Sequence, residues 1–443
     1  MPYQQLIECA LADTIGEGGL SATSLARLLE AAAPVLAKLA AAGADGSLAF
    51  LTAPRLSDDL KACGEISRSF RDTCAEVLVL GTGGSSLGGQ SLAALAERGV
   101  GPAAGTPRLR FLDNVDPDSF EALLERLDFT ETGVLAVSKS GGTAETLAQL
   151  LVILPRLEAA LGRDGVARRL VVITEPGSGT LGALADAYGC VRLPHDPELG
   201  GRFSVFSAVG ALPAMIAGLD AEAFRAGACE VLDGSLGAAT AGDAPPALGA
   251  AIAVGLAQDR RVTQNVLMTY VDRLATFGLW HRQLWAESLG KDGLGLTPID
   301  ARGATDQHSQ LQLYLAGPQD KLFTIVSLET AGLGPRIELV EPARADSAGL
   351  MYLGGRSLGD LLDAMARATA DTLARNGRPV RQFRLRELGE YQLGALMMHF
   401  MLETVIAAGL LGVNPFDQPA VEEGKRLARD YLQAAAGSDE AAS

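Results

Sequence analysis

Gln283 and Glu287 lie four residues apart in the segment QLWAESLGKDG (283–293), a spacing that puts both side chains on one face of a helix. A carboxylate held there beside an amide can remove a carbon-bound proton. The plainer reading of the same segment is a surface helix end with a Glu287–Lys291 ion pair, also at i,i+4. Arg202 follows two glycines in GGRFSVFSAVG (200–210), and a guanidinium so placed can enter a cleft and hydrogen-bond a developing oxyanion; otherwise it is an ordinary loop arginine. GATDQHSQLQLYLAG (303–317) predicts His308 in the first turn of a helix, where an imidazole titrating near neutrality can carry protons to and from oxygen, or simply cap and pack. NPFDQPAVEEGK (414–425) is stiffened by Pro415 and Pro419 and puts Lys425 one or two turns into the last helix, beside Glu422 and Glu423.

Two further segments suit an anion. Gly81, Thr82, Gly83, Gly84, Ser85 and Ser86 form one turn. Ser138, Lys139, Ser140, Gly141, Gly142 and Thr143 form another, ahead of a helix carrying Glu145 and Thr146. Glycines let the backbone approach a ligand closely, and the helix start that follows leaves N–H groups unpaired. The hydroxyls of Ser138, Ser140 and Thr143, with Lys139 near, have the chemistry of a phosphate cradle; the alternative is a tight turn with a threonine cap. GTGGSS lacks the third glycine of the dinucleotide fingerprint, which argues against a nucleotide-binding oxidoreductase.

These turns need rigid elements behind them. AEVLVL (75–80), LRFLDN (109–114), TGVLAV (132–137), RRLVVITEP (168–176) and CVRLP (190–194) read as strands, with helical stretches at 117–127, from 143 and at 179–188. Continuous apolar strands alternating with helices predict parallel sheets covered on both faces. A second cycle follows an Ala/Gly/Pro-rich stretch at 233–249. NVLMTY (265–270), KLFTIVSLE (321–329) and RQFRLREL (381–388) are its strands; its helices are 272–289, one near 305–315, 357–375 and 391–411. Residues 1–55 read as helical, and a polar helix from about 419 closes the chain, with GSDEAAS (437–443) expected to be disordered. The expectation is an α/β protein of two tandem αβα sandwiches with parallel-rich sheets and a C-terminal helical tail. The smaller domain covers 56–215; the larger covers 1–55 plus 216–443.

The bulk composition narrows the function classes. The chain has 443 residues, 48% of them hydrophobic and 20% charged, enough for large cores. A formal net charge of -16 offers nothing to nucleic-acid phosphates, so an anionic substrate must be held locally. Five scattered cysteines, Cys9, Cys63, Cys74, Cys190 and Cys229, predict reduced thiols and a cytoplasmic protein. His195, His281, His308 and His399 lack the spacing of a local metal site, so no metal is expected. The N-terminus has no basic region ahead of an apolar stretch, which argues against a signal peptide. Leu393 to Val413 is long enough to cross a bilayer, but His399 and Glu403 near its middle predict a buried helix and no membrane.

GTGGSSLG, SKSGGTAET, GGRFSVFSAVG, QLWAESLGK, GATDQHSQLQL and NPFDQPAVEEGK occur in the order of the glucose-6-phosphate isomerase family, which the chain resembles from about residue 75 to 430. The most specific blocks are Gln283–Lys291, Gly303–Gln312 and Asn414–Lys425. The resemblance implies two sugar-isomerase-type (SIS), flavodoxin-like domains in a cytoplasmic homodimer that works on a sugar phosphate in glycolysis and gluconeogenesis, with no cofactor. It implies that Glu287 shuttles a proton between C1 and C2, that Arg202 stabilises the cis-enediolate, and that His308 and Lys425 assist ring opening. Gln283 would contact substrate. Ser138, Lys139, Ser140 and Thr143 would hold the phosphate, with Thr146 nearby, and Gly84 and Ser85 would bind substrate, Ser85 near the sugar hydroxyls. His308 would act in the partner subunit's site. Carboxylate, cation and ring-opening group match what isomerisation needs, in a pocket apolar enough to suit a carboxylate base.

The chain departs from the family at Gly141 and Gly142, where SKTFTTxET is usual, and at Ser86 and Gly89, where Asp or Glu, and Pro, are common. The first departure leaves open another anionic hexose such as mannose 6-phosphate. A non-catalytic phosphosugar sensor is the reading from another class; such a sensor has no reason to keep Glu287, Arg202, His308 and Lys425 together.

Overall fold

The computed structural model describes residues 1–177, 179–341 and 349–440. Among them ten strands are present: β1 (Gln4–Leu6), β2 (Glu76–Leu80), β3 (Arg108–Leu112), β4 (Thr132–Val137), β5 (Leu170–Thr174), β6 (Val191–Pro194), β7 (Gln264–Thr269), β8 (Thr297–Arg302), β9 (Lys321–Leu328) and β10 (Val380–Leu385). They form two five-stranded sheets, in the orders β3-β2-β4-β5-β6 and β1-β10-β9-β7-β8. Every pairing is parallel except that of β1 with β10. Each sheet starts near its middle, places its second parallel strand on one side and the rest on the other. The doubly wound reversal thus falls between β2 and β4 in the first sheet and between β7 and β9 in the second.

Each sheet is covered on both faces. Along β2, Val77 and Val79 enter one core and Leu78 and Leu80 the opposite one. In the second sheet Val266 and Met268 pack on one side and Leu267 on the other, where the helices Pro245–Arg260 and Glu390–Leu411 build the largest core. Burying each Val or Leu in this way stabilises by about 1.5–3 kcal/mol, which is why β2 and β4 carry continuous apolar runs.

Two strands were not expected. Residues 1–55 do contain a long helix, Ala22–Asp45, but they begin with β1, and the loop expected after 289 contains β8. The helix near 305–315 is shorter than expected: a 3-10 turn covers Thr305–Gln307 and the α-helix begins at Leu311. His308 therefore sits in the connection between them rather than in a first helical turn. The last helix runs Glu422–Glu440 and takes in residues 437–440, which were expected to be disordered; 441–443 lie outside the described residues.

The helix Glu390–Leu411 is apolar and long enough to cross a membrane, and 89% of its most hydrophobic window is buried inside the fold. Its central charges are paired. Glu403 accepts from both terminal nitrogens of Arg381, at 2.8 and 2.7 Å, and lies 3.1 Å from His399 Nε2. His399 Nδ1 meets the hydroxyl of Tyr3, the residue just before β1, at 2.7 Å. Burial works against the Glu403 charge, but Arg381 and the hydrogen bonds outweigh it and hold the carboxyl down to about 2. His281, stacked on Trp285 and edge-on to Phe400, is pushed down to about 4 by burial, with Glu403 opposing. The five cysteines are all unpaired, with Cys63 and Cys74 buried.

Candidate active site

The two hydroxyl-rich turns follow β2 and β4, whose ends sit side by side, Leu80 opposite Ala136. They therefore occupy the switch point of the first sheet, outside its carboxyl edge, where open α/β sheets bind ligands. On the first turn Gly83 has φ +54 and Gly84 presses against the next segment: a Cβ on Gly84 would stand 2.2 Å from Gly201 C and 2.6 Å from Arg202 N. Only glycine permits that approach. It sets Arg202, on the 3-10 segment Gly201–Phe206, directly against the turn.

The helix Phe277–Leu289 arrives from the second sheet, following β7. It buries Phe277, Trp280, His281, Leu284, Trp285 and Ser288, which leaves Gln283 and Glu287 together at its partly open face. Gln283 packs on the first turn; a Cβ at Gly83 would lie 2.7 Å from its Nε2. Gln283 Nε2 donates to Glu287 Oε1 at 3.0 Å, and Arg202 Nη1 donates to Glu287 Oε2 at 3.2 Å. The guanidinium side chain is 3% exposed and the carboxylate 31%, so the acid opens to solvent while the cation stays sealed behind it.

Arg202 is caged. Its Nε donates to Ser288 Oγ at 2.9 Å, and Nη1 also donates to Gln418 Oε1 at 2.8 Å. Nη2 donates to the carbonyls of Pro415 and Asp417, the latter at 3.1 Å. Five donors meet five acceptors, the full capacity of the group. Burial pulls the Arg202 guanidinium below its ordinary value, with the Glu287 charge and hydrogen bond opposing. Lys291 does not pair with the Glu287 carboxylate. Its Nζ donates to the carbonyls of Glu287 and Ser288, at 2.7 and 2.9 Å, and lies 3.5 Å from Asp417 Oδ1. Ser288, Lys291, Asp417 and Gln418 complete the arrangement and were not anticipated individually, although all four lie inside the Gln283–Lys291 and Asn414–Lys425 blocks.

In the second turn, Ser138 Oγ and Thr143 Oγ1 are 2.8 Å apart, and Ser140 Oγ accepts from Gly142 N at 3.3 Å. Lys139 Nζ is 3.6 Å from Glu175. Thr146 is fully buried, and its Oγ1 meets no hydrogen-bond partner among the described residues. Ser85 stands half-buried beside Gly84.

Two residues do not join this group within one chain. Lys425 is 66% exposed and bonded to Glu422 at 2.7 Å, the solvated pair of the plainer reading. His308 is exposed on its surface turn. Among the described residues no group of three His, Cys, Asp or Glu side chains is placed to hold a metal ion.

The protein is an α/β chain of two doubly wound sheets, with a carboxylate–guanidinium pair beside the switch point of the first. A glucose-6-phosphate isomerase from Chlamydia trachomatis shares that fold with a TM-score of 0.72 at 21% identity, over 86% of this chain and 74% of that one. Residues 55–443 match the family model described as phosphoglucose isomerase, and the chain belongs to that family. The glucose-6-phosphate isomerase of Rubrobacter xylanophilus is 41% identical over 431 residues, 96% of each chain. A glucose-6-phosphate isomerase of Thermus thermophilus is 40% identical over 388 residues, 85% of this chain and 89% of the relative. A crystal structure of a hypothetical protein from Thermus thermophilus superposes with a TM-score of 0.84 at 37% identity, over 97% of this chain and all of that one (100%).

Proposed function

We propose that this protein interconverts glucose 6-phosphate and fructose 6-phosphate through a cis-enediolate, with Glu287 as the proton carrier. The observation that carries the reading is the Glu287 carboxylate, bonded at once by Gln283 Nε2 at 3.0 Å and Arg202 Nη1 at 3.2 Å at the switch-point opening. From the open-chain aldose, Glu287 takes the C2 proton, the C2–H electrons form the C1–C2 double bond, and the C1 carbonyl oxygen becomes the enediolate oxyanion. The hydroxyl proton on O2 then passes to O1, which becomes the C1 hydroxyl, and the charge moves to O2; Glu287 returns its proton to C1 as the C2 oxygen becomes the ketone. As Glu287 gains its proton it becomes a weaker acceptor for Arg202 Nη1, just as negative charge appears on the sugar. The buried guanidinium can then turn that donor to the oxyanion, where low dielectric strengthens the bond.

Ser138, Lys139, Ser140 and Thr143 are assigned to the phosphate, with Thr146 beneath them and Gly84 and Ser85 toward the sugar. The support is their place at the carboxyl ends of β2 and β4, with the buried, unpartnered Thr146 hydroxyl in the first turn of the helix that follows. His308 and Lys425 are assigned to ring opening, His308 by way of a partner copy in a homodimer. Its exposure on a surface turn is the support for that delivery. One observation keeps a second substrate in view, a related anionic hexose such as mannose 6-phosphate: a Cβ at Gly142 would find its nearest neighbour, Ser140 Oγ, only at 3.9 Å, so the turn leaves room where the family usually carries larger side chains.

The test is proton NMR of fructose 6-phosphate with the protein in heavy water. Glucose 6-phosphate carrying deuterium at C2 is expected, because the proton on Glu287 exchanges with solvent before delivery. Glu287→Gln is expected to abolish turnover while the phosphosugar still binds. Wild-type-like turnover by that variant removes Glu287 from its role; conversion of mannose 6-phosphate alone moves the assignment to the second substrate.

A further inference from the structure

We propose that Lys291 is a positioning residue that locks the last turn of the helix Phe277–Leu289, and Glu287 with it, to the 414–418 segment that cages Arg202. The inference rests on the reading of Glu287 and Arg202 as base and cation. Lys291 has three donors, and the structure offers them three oxygens: the carbonyls of Glu287 and Ser288, at 2.7 and 2.9 Å, and the Asp417 carboxylate at 3.5 Å. The first two are helix-terminal carbonyls with no partner further along the helix. The third belongs to a segment whose residues 414 and 416–418 are exposed, yet which supplies three of the five Arg202 acceptors.

Phe416 packs its ring on Phe50 and Phe203, at 5.9 and 5.4 Å between centroids, but the exposed Asp417 and Gln418 that follow it need a polar anchor to hold a buried charge, because exposed loop residues open at little cost. The Lys291 side chain is 12% exposed and reaches the loop from its rigid side. Asn414 Nδ2 steadies the other Asp417 oxygen at 3.0 Å. Without the anchor, opening of the loop tip beyond Phe416 loosens the Arg202 bonds to Asp417 and Gln418. The guanidinium then turns its released donors onto Glu287, the acceptor that remains within reach, and a base held by more bonds gives up less to substrate. Lys291 touches no reacting atom in this scheme; it acts through the two groups it holds.

The experiment uses the full chain and two readouts, steady-state kinetics with fructose 6-phosphate and hydrogen exchange at the amides of 416–418. Lys291→Met is expected to lower kcat by about 10- to 100-fold with KM within about threefold, as misplacement of a catalytic group does, and to speed exchange at 416–418. Lys291→Arg, which keeps a cation with several donors, is expected to recover most of both. Wild-type kcat and exchange in Lys291→Met overturn the proposal, and so does a loss of kcat with the loop exchange unchanged. If Lys291→Met does not fold, Asp417→Asn decides: faster loop exchange and lower kcat support the lock, and wild-type values of both overturn it. A wild-type protein inert toward hexose phosphates sinks the isomerase reading instead, while the exchange comparison still decides whether Lys291 holds the loop.

Discussion

Gly84 is the residue on which the pairing of the first turn with Arg202 depends. The 2.2 Å separation between a Cβ there and Gly201 C is far inside van der Waals contact, and the neighbour is backbone, which cannot rotate aside. Gly84→Ala must push the turn and the 201–206 segment apart, and Arg202 moves with the latter. Displacement of a catalytic group on the order of 1 Å costs about 100-fold in rate; that loss in kcat/KM is the expected result, measured with fructose 6-phosphate, and a variant within about twofold of wild type contradicts it. At this scale much was legible in the sequence. Gln283 and Glu287 share a helix face by spacing alone, and the glycines around Arg202 announce a close approach. What was not legible was how Arg202 is held. Two of its five acceptors are main-chain carbonyls, of Pro415 and Asp417, and every residue type carries a carbonyl. Lys291 was hidden for a related reason: its i,i+4 spacing from Glu287 suggests a carboxylate pair, and the ammonium chose the helix-end carbonyls instead.

The elements separate by burial. β2, β4, β5, β7 and β9 are interior strands with continuous apolar runs, and each was evident. β1 and β8 are the outer strands of their sheet, β1 only three residues long and β8 (TPIDAR) carrying a proline and two charges, so neither shows an apolar run. Edge position also explains the proline, which costs no ladder bond there. The helix Phe277–Leu289 carries Glu287 on one face and His281 on the other, and His281 ties the helix to the acid stability of the protein. Its folded value is near 4 against an ordinary 6.5, so between those limits the unfolded chain binds a proton that the folded chain refuses. Stability is full above 6.5 and declines as pH falls toward 4, by on the order of 3 kcal/mol from this group. Glu403 continues the trend, its contribution being lost as pH falls from the ordinary 4.5 through about 2. His281→Phe keeps the stacking with Trp285 and removes the proton site, so the drop in urea midpoint between neutral pH and about pH 4.5 is expected to shrink. An unchanged drop excludes His281 as its source.

For the whole molecule, the two sheets repeat one winding order, and the helix after the first parallel strand of each, Leu87–Glu97 and Phe277–Leu289, comes to the shared opening. The base and the proposed phosphate turns thus come from different sheets. His308 and Lys425 remain outside, which makes assembly the natural test. If His308 serves a partner's site, Glu287→Gln and His308→Ala chains, each inactive alone, regain activity when unfolded and refolded together. A mixed twofold dimer has one site with both native groups, so random pairing is expected to restore roughly a quarter of wild-type sites. No recovery from a mixture shown to contain mixed dimers places His308 within its own chain's site or outside catalysis.

The cage around Arg202 also has a meaning for how the protein is made. The ribosome delivers Arg202 well before Pro415, Asp417 and Gln418, so a nascent chain has its arginine but lacks three of the five groups that will surround it. A guanidinium in that state resists being enclosed. The cleft can therefore close around Arg202 only after residue 418 has left the ribosome, and a product cut short before Asn414 is left with an open, idle centre however well its two sheets have formed.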